Sequence, residues 1–188
     1  MPKQRITKEM VVEAAFEIAR EKGIDHVLVK NIAEKLGCSV QPIYSYCSNM
    51  EELKKDMRKR ISVFFQEYMA THIDNKDFFK NMGKAYLLLL KEEPNLFEAY
   101  YIRKRADCTA TSLWDLYEQE CPPQMAEIIA KQYSISLEAA RELHLNMMVY
   151  NIGISSLMIS SNFGVPIEEL EKKLGSVHDI FVEHARKE

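Results

Sequence analysis

From Thr7 onward the apolar positions recur at helical spacing. Val11, Ala14, Ala15, Ile18 and Ala19 fall at i, i+3, i+4, i+7 and i+8, one stripe on one face of a helix. Thr7 is placed to cap that helix, with Ile6 and Val11 at the two positions of a hydrophobic staple. Gly23 is placed to stop it. A short second helix follows, with Ile32, Ala33 and Leu36 inward and Gly37 at its end. Ser39 can cap a third, from Val40 to about Cys47. Pro42 then falls inside the first turn, where its missing N–H breaks no helical bond. The N3 amide is absent there, so the Ser39 hydroxyl is expected to reach the amide of Gln41.

Asn49 followed by Glu52 is a capping-box-like start for a fourth helix, from Met50 to about His72. The Asp74–Lys76 region reads as a turn. Helical pattern resumes from Asp77 to Glu92, with Met82, Tyr86, Leu89 and Leu90 inward. Pro94 and the Pro122–Pro123 pair mark further boundaries. Ser136 can cap a long helix to about Asn162, stopped at Gly164, and Pro166 opens the last one. The pattern predicts an all-α chain of about nine helices.

Composition narrows the chemistry. The 188 residues are 47% hydrophobic and 28% charged, with only 6 Gly and 6 Pro, a balance that suits a globular helical chain. The 4 Cys form no C-x-x-C pair and the 5 His no H-x-x-x-H pair, so no metal site is expected. No phosphate-binding glycine loop is present, and neither a cofactor nor catalysis is expected. The segment MPKQRITKEM lacks the apolar core of a signal peptide. The longest apolar stretch, Val149 to Ile159, is interrupted by Asn151, Gly153, Ser155 and Ser156. The expectation is a cytoplasmic protein with reduced thiols and no membrane span. Charge is uneven: residues 1–60 carry 12 Lys and Arg against 9 Asp and Glu, and residues 61–188 carry 13 against 19. A basic head on an acidic body suits a chain in which one part meets a polyanion.

Two short helices joined by a tight turn behind a longer one fit a helix-turn-helix. The stretch from Gly23 to Leu53, G-I-x(7)-I-A-x(2)-L-G-C-S-V-Q-P-I-Y-S-Y-C-x-N-x-E-E-L, resembles the N-terminal domain of the tetracycline-repressor (TetR) family of transcriptional regulators. The resemblance implies a DNA-binding domain at residues 1–50 and an effector-binding and dimerisation domain at residues 51–188. It implies that Val40, Gln41, Pro42, Ser45 and Tyr46 face the major groove, that Ser39 also belongs to the DNA-binding residues, and that Tyr44 meets a backbone phosphate. Lys30 would reach phosphate or a base, and Asn49 would open the fourth helix toward phosphate. Gln41 is the best base reader, because a carboxamide can pair bidentately with adenine. Three positions depart from the family pattern. Val27 and Leu28 stand where Thr or Ser usually caps the second helix, Cys47 replaces a core Phe, and Met50 replaces a phosphate-touching Lys.

In the second domain, Gly153, Ser156, Leu157 and Ser160 with Leu170, Leu174, Val177 and Phe181 form helical seams that can pack against a second copy. The resemblance implies the same four-helix homodimer, which would read a palindromic operator in double-stranded DNA. Phe65, Tyr68, Tyr86, Tyr100, Tyr101, Trp114, Met147, Met148 and Tyr150 can line an apolar cavity, where family members commonly bind a small-molecule effector. The chain is therefore expected to be a transcriptional regulator, a repressor released by its effector. The alternative is a protein–protein or small-molecule-binding module that does not bind an operator.

Overall fold

The structure, a computed structural model, describes residues 6–46, 49–73, 77–104, 108–161 and 164–187. Ten α-helices and no strand occur among them: α1 (Lys8–Lys22), α2 (Val29–Leu36), α3 (Gln41–Tyr44), α4 (Met50–His72), α5 (Phe78–Glu92), α6 (Pro94–Phe97), α7 (Leu113–Glu120), α8 (Pro123–Tyr133), α9 (Leu137–Ser160) and α10 (Ile167–Ala185). A 3₁₀ turn (Ile24–His26) follows α1, and a π-helical turn (Glu98–Ile102) continues α6. The expected turn at Asp74–Lys76 and the side chain of Cys47 lie outside the described residues. No described helix is long and apolar enough to cross a membrane.

The expected caps at three helix starts are present. Thr7 Oγ1 accepts from the amide of Met10 at 3.3 Å, Asn49 Oδ1 from Glu52 at 2.9 Å, and Ser136 Oγ from Ala139 at 3.0 Å. Each satisfies one of the amides that a helix start leaves without a helical partner. Gly23 closes α1 at a φ of +87°, a backbone setting that side-chain-bearing residues avoid.

The chain divides into two compact units, residues 1–71 with 92–103, and residues 72–91 with 104–188. In the first unit, α1 buries Val11, Ala14, Ala15, Phe16, Ile18 and Ala19, and packs on α2 and α6. The inward face of α4 is Leu53, Met57, Ile61, Phe65 and Tyr68. Ion pairs fasten this core at its edge. Lys8 meets Asp56 at 2.6 Å, and the Arg60 guanidinium grips both carboxylate oxygens of Glu13 at 2.7 and 3.2 Å while lying over the Phe16 ring. Arg20 pairs with Glu93, Asn95 donates to the Arg20 carbonyl at 2.9 Å, and Arg103 reaches Asp25 at 2.6 Å.

The second unit packs α9 against α8 and α10 around Phe79, Met82, Leu87, Ile129, Leu143, Met147 and Leu174. On α5, Leu87 is buried in place of the expected Tyr86, which is half-buried at the edge of this core. Gly83 permits close approach there, since a Cβ would lie 3.1 Å from Leu174 Cδ2. Two buried histidines flank Phe79. His178 meets the Tyr133 hydroxyl at 2.9 Å and the Asp179 carboxylate at 3.0 Å, whereas His144 Nδ1 meets the Tyr117 hydroxyl at 3.1 Å.

Burial pushes the His144 imidazole down from 6.5 to about 4. The folded value lies below the unfolded one, so folding favours the neutral ring. The resulting stabilisation is complete above pH 6.5 and is lost as pH falls from 6.5 toward 4. Unfolding free energies from urea titration are expected to drop across that window, by at most ~1.4 kcal/mol per pH unit, and His144→Gln is expected to flatten the slope. An unchanged slope in the variant would remove His144 as its source.

Candidate nucleic-acid interface

The turn between α2 and α3 begins at Gly37, whose φ of +64° and ψ of 31° are left-handed. Its amide and that of Cys38 reach back to the Glu34 and Ala33 carbonyls at 3.1 and 3.0 Å. A Cβ at Gly37 would meet nothing within 4 Å. Glycine is required there by backbone angle and not by crowding. The reversal presents α3 beyond the end of α2.

A helix of four residues cannot hold itself together in water, because nucleation costs more than its few hydrogen bonds return. Ile43 supplies the missing anchor: it is fully buried, while Gln41, Tyr44 and Ser45 around it are exposed. Tyr44 is 58% and Val40 44% accessible, and Pro42 is half-buried. Three-residue hydrogen bonds from Ser45 to Pro42 at 3.2 Å and from Tyr46 to Ile43 at 3.0 Å tighten the end, and the Ser45 hydroxyl donates to the Gln41 carbonyl at 3.3 Å.

Two expectations need correction here. Ser39 is exposed and does not cap α3; the helix begins at Gln41 with Val40 at the cap position, so Ser39 lies one residue before the cap and Pro42 falls within the first two positions. Tyr46, expected to face the groove, is half-buried and donates its hydroxyl to the Ile6 carbonyl, tying the end of α3 to the residue before the α1 cap. The exposed face around α3 is therefore narrower than the sequence suggests, and consists of Val40, Gln41, Tyr44 and Ser45 with Ser39 before them.

At the start of α2, Leu28 stands at the cap position with no side-chain hydrogen bond, as the departure from the family pattern implies, and Val27 is buried. Asn31 instead donates to the His26 carbonyl at 2.8 Å, which ties the first turn of α2 to the 3₁₀ turn before it. The sequence reading overlooked Asn31; an amide two residues into a helix that lacks a polar cap is the signal that could have found it. Lys30 is exposed, and no acidic partner is seen for it among the described residues. Lys35 is held between Glu17 at 2.9 Å and Glu21 at 3.5 Å, and these carboxylates keep its ammonium above the usual lysine range. Asn49 lies at the exposed start of α4, beside Glu51, which pairs with Lys54 at 3.0 Å.

No protein-family model matches the sequence. The helix-turn-helix transcriptional regulator YobS of Bacillus subtilis is 21% identical over 105 residues, so the matched stretch spans about half of each chain, 54% of this one and 55% of that one. Among solved structures, a TetR-like transcriptional regulator from Rhodococcus sp. RHA1 superposes with a TM-score of 0.63 over 95% of this chain and 96% of that one, at 14% identity. A TetR-family transcriptional regulator from Haemophilus influenzae gives 0.60 over 92% and 94%, at 15% identity. This chain has the TetR-regulator fold. The multidrug binding protein EbrR, solved with imidazole, shares it at a TM-score of 0.54 over 92% and 95%, with 13% identity.

Within this TetR-type fold the residues expected around an effector separate into two groups. Phe65, Tyr68, Tyr100 and Tyr101 belong to the first unit, where Phe65 stacks on Tyr101 at 5.9 Å and meets Tyr100 edge-on at 5.3 Å. The Tyr68 hydroxyl bonds Glu92 at 2.8 Å. Tyr86, Trp114, Met147, Met148 and Tyr150 belong to the second unit. Met147 alone of these lines a small depression there, beside Phe79, Gly83, Leu174 and His178, with room for about one water molecule.

The expected dimer residues also divide. Gly153, Leu157 and Ser160 are exposed, Ser156, Leu170, Val177 and Phe181 are half-buried, and Leu174 is buried inside its own unit. Val149 and Ile180, which the sequence reading left out, are exposed apolar side chains on the same two helices. The spacing of Val149, Gly153 and Leu157 by four is the signal for the first.

Ile43→Ala is expected to cost about 2–5 kcal/mol in unfolding free energy and to loosen α3 while leaving the longer helices formed. Hydrogen exchange at Tyr44–Tyr46 together with far-UV circular dichroism checks this. Unchanged protection of those amides would show that Ile43 is not the anchor.

Proposed function

We propose that the chain is a homodimeric, sequence-specific DNA-binding transcriptional regulator, a repressor that a small molecule releases from its operator in the cytoplasm. In this reading residues 1–50 read DNA and residues 51–188 hold the effector and the dimer contact. The observation that carries it is α3: a short helix anchored by one buried side chain, with its polar face turned to solvent. Polar side chains on a short element held in one orientation can offer donors and acceptors to base edges, and the major groove admits an α-helix.

Gln41 pairs with adenine, Val40 and Pro42 supply apolar contact to thymine methyls, and Tyr44, Lys30 and the Asn49 end of α4 hold phosphates. Ser39 and Ser45 lie exposed beside them, while Tyr46 supports the reader from behind. A single head buries little DNA surface, so two heads on a two-fold axis are needed to match a palindrome. The exposed apolar side chains of α9 and α10 support a second copy as the covering surface. The fold shared with a multidrug binding protein supports a small organic effector. Release follows by population shift, the effector favouring the conformation whose heads are wrongly spaced.

Selection of bound duplexes from a random pool is expected to return a palindrome whose binding weakens steeply with salt. Retention of no preferred sequence would overturn this reading in favour of a module that does not bind an operator. On the selected site, Gln41→Ala is expected to cost about 1–3 kcal/mol and to relax preference at one base pair of each half-site. Leu157→Glu is expected to yield monomers by sedimentation, with weak operator binding and an intact fold. Full dimerisation of that variant would place the interface elsewhere.

A further inference from the structure

Within the second unit, a chain of polar side chains joins α10 to α8 and to the start of α5. The Asp179 carboxylate meets His178 Nδ1 at 3.0 Å, and His178 Nε2 meets the Tyr133 hydroxyl at 2.9 Å. That hydroxyl lies 3.1 Å from Asp77 Oδ1. Gln132 Nε2 reaches both, Asp77 Oδ1 at 2.7 Å and the Tyr133 oxygen at 2.9 Å. The orientation of the Gln132 amide is fixed, because its Oε1 accepts from the backbone N–H of Phe79 at 3.3 Å, and that group can only donate. His178 is buried, Tyr133, Gln132 and Asp77 are half-buried, and Asp179 lies at the surface.

Each of these five contacts needs a hydrogen between its two atoms. Gln132 brings two, Tyr133 one and the carboxylates none. A neutral His178 brings one more, which leaves one contact with lone pairs facing each other. With the hydrogen on Nδ1 that contact is at the Tyr133 oxygen, and with it on Nε2 it is at Asp179. Only a ring protonated on both nitrogens satisfies all five. A carboxylic acid could supply the fifth hydrogen instead, but imidazole is the stronger base, at ~6.5 against ~3.9. The His178 bond, and then Lys80 at 3.1 Å, hold the Asp179 carboxyl below its usual range. Burial, and then the Asp77 carboxylate, push the Tyr133 hydroxyl up, so it keeps its hydrogen. Charge agrees: with His178 cationic, Asp77, His178, Asp179 and Lys80 sum to zero, whereas a neutral ring leaves a negative charge uncompensated. Other ionisable groups around the ring are Lys84 and Glu171, which line the small depression with it, Arg186, which acts on Tyr133, and His144 on α9, across Phe79.

We infer that His178 is a cation in the folded chain and that its second proton is a latch seating α10 on α8 and on the start of α5. This goes beyond the DNA-binding reading and does not depend on it. Removing the proton leaves four hydrogens for five contacts, so one bond in the chain from α10 to Asp77 opens. The proton comes from solvent, and the latch is therefore sensitive to pH. The folded chain holds a proton that the unfolded chain releases as the solution turns alkaline, so the stabilisation is present at low pH and is lost as pH rises. His144 works in the opposite sense, since its neutral ring is lost in acid. The two histidines flank one phenylalanine and bound the stability of the second unit from opposite sides. The helix held in this way carries the exposed Ile180, so the latch also governs the surface that α10 presents.

The test is long-range nitrogen–proton correlation NMR of the full chain at neutral pH, with labelled histidine and the His178 signals assigned by their loss in His178→Gln. His178 is expected to carry hydrogen on both ring nitrogens, and His144 on one. An unprotonated nitrogen in His178 would overturn the proposal. In a folded Asp77→Asn chain the Nε2 hydrogen of His178 is expected to be lost, because the anion that balances it is gone; its retention would show that the chain through Tyr133 does not hold the proton. Hydrogen exchange supplies the mechanical readout. Protection factors of the α10 amides around His178 are expected to fall ~tenfold or more in the wild type as the solution is made alkaline, and to show no such fall in His178→Gln. Protection that is insensitive to pH in the wild type, or equally sensitive in the variant, would overturn the latch.

Discussion

The seating of one side chain, Ile43, governs the whole candidate interface. A four-residue helix has almost no intrinsic stability, so its orientation is set by what it buries and by how the chain arrives. The left-handed backbone at Gly37 fixes the arrival, and the hydroxyl of Tyr46 fixes the departure by bonding to the residue before α1. Between those two points, the apolar side chain faces in and the polar ones face out. The chemistry available to a ligand is therefore decided by packing underneath it.

The platform behind α3 is held by a different kind of contact. Its core is ordinary aliphatic and aromatic burial, but its edges are fastened by arginine: Arg60 on Glu13 and Phe16, Arg20 on Glu93 and Phe64, Arg58 over Tyr100 and Arg103 on Asp25. Planar guanidinium groups can stack on a ring and grip a carboxylate together, which lysine cannot. Exposed pairs of this sort add little stability one at a time, yet they restrict the angles at which segments meet. The second unit relies instead on buried polar groups, with His144, Tyr117, His178 and Tyr133 arranged around Phe79. Such groups fix register because each must find its partner.

Most of the helices could be read from the sequence, because period, caps and breakers agreed at Thr7, Gly23, Gly37, Asn49 and Ser136. The third helix was harder. Ser39 looked like its cap because the residue type was right, but α3 starts at Gln41 with Val40 in the cap position, which composition does not reveal. The exposure of Gln41, Tyr44 and Ser45 was legible through the motif. The inward turn of Tyr46 was not, since aromatic residues serve equally well as core or contact. Leu174 followed the same logic. It sits in an apolar repeat that looked like a single seam, yet Gly83 on a distant part of the chain opens a place for it. The two aromatic groups taken together as one lining proved to belong to separate units, because contacts between segments far apart in sequence leave no local periodic trace.

One feature of the topology bears on how such a molecule can be recombined. The backbone leaves the first unit after residue 71, returns for residues 92–103 and leaves again. The short returning stretch brings Glu93, Asn95 and Arg103 to α1 and the turn behind it. A chimera that joined residues 1–71 to the body of a relative at a single splice would therefore strip Arg20 and Asp25 of their counterparts. A faithful graft has to carry both pieces, so crossover during evolution would be expected to shuffle such units less freely than their compact size suggests.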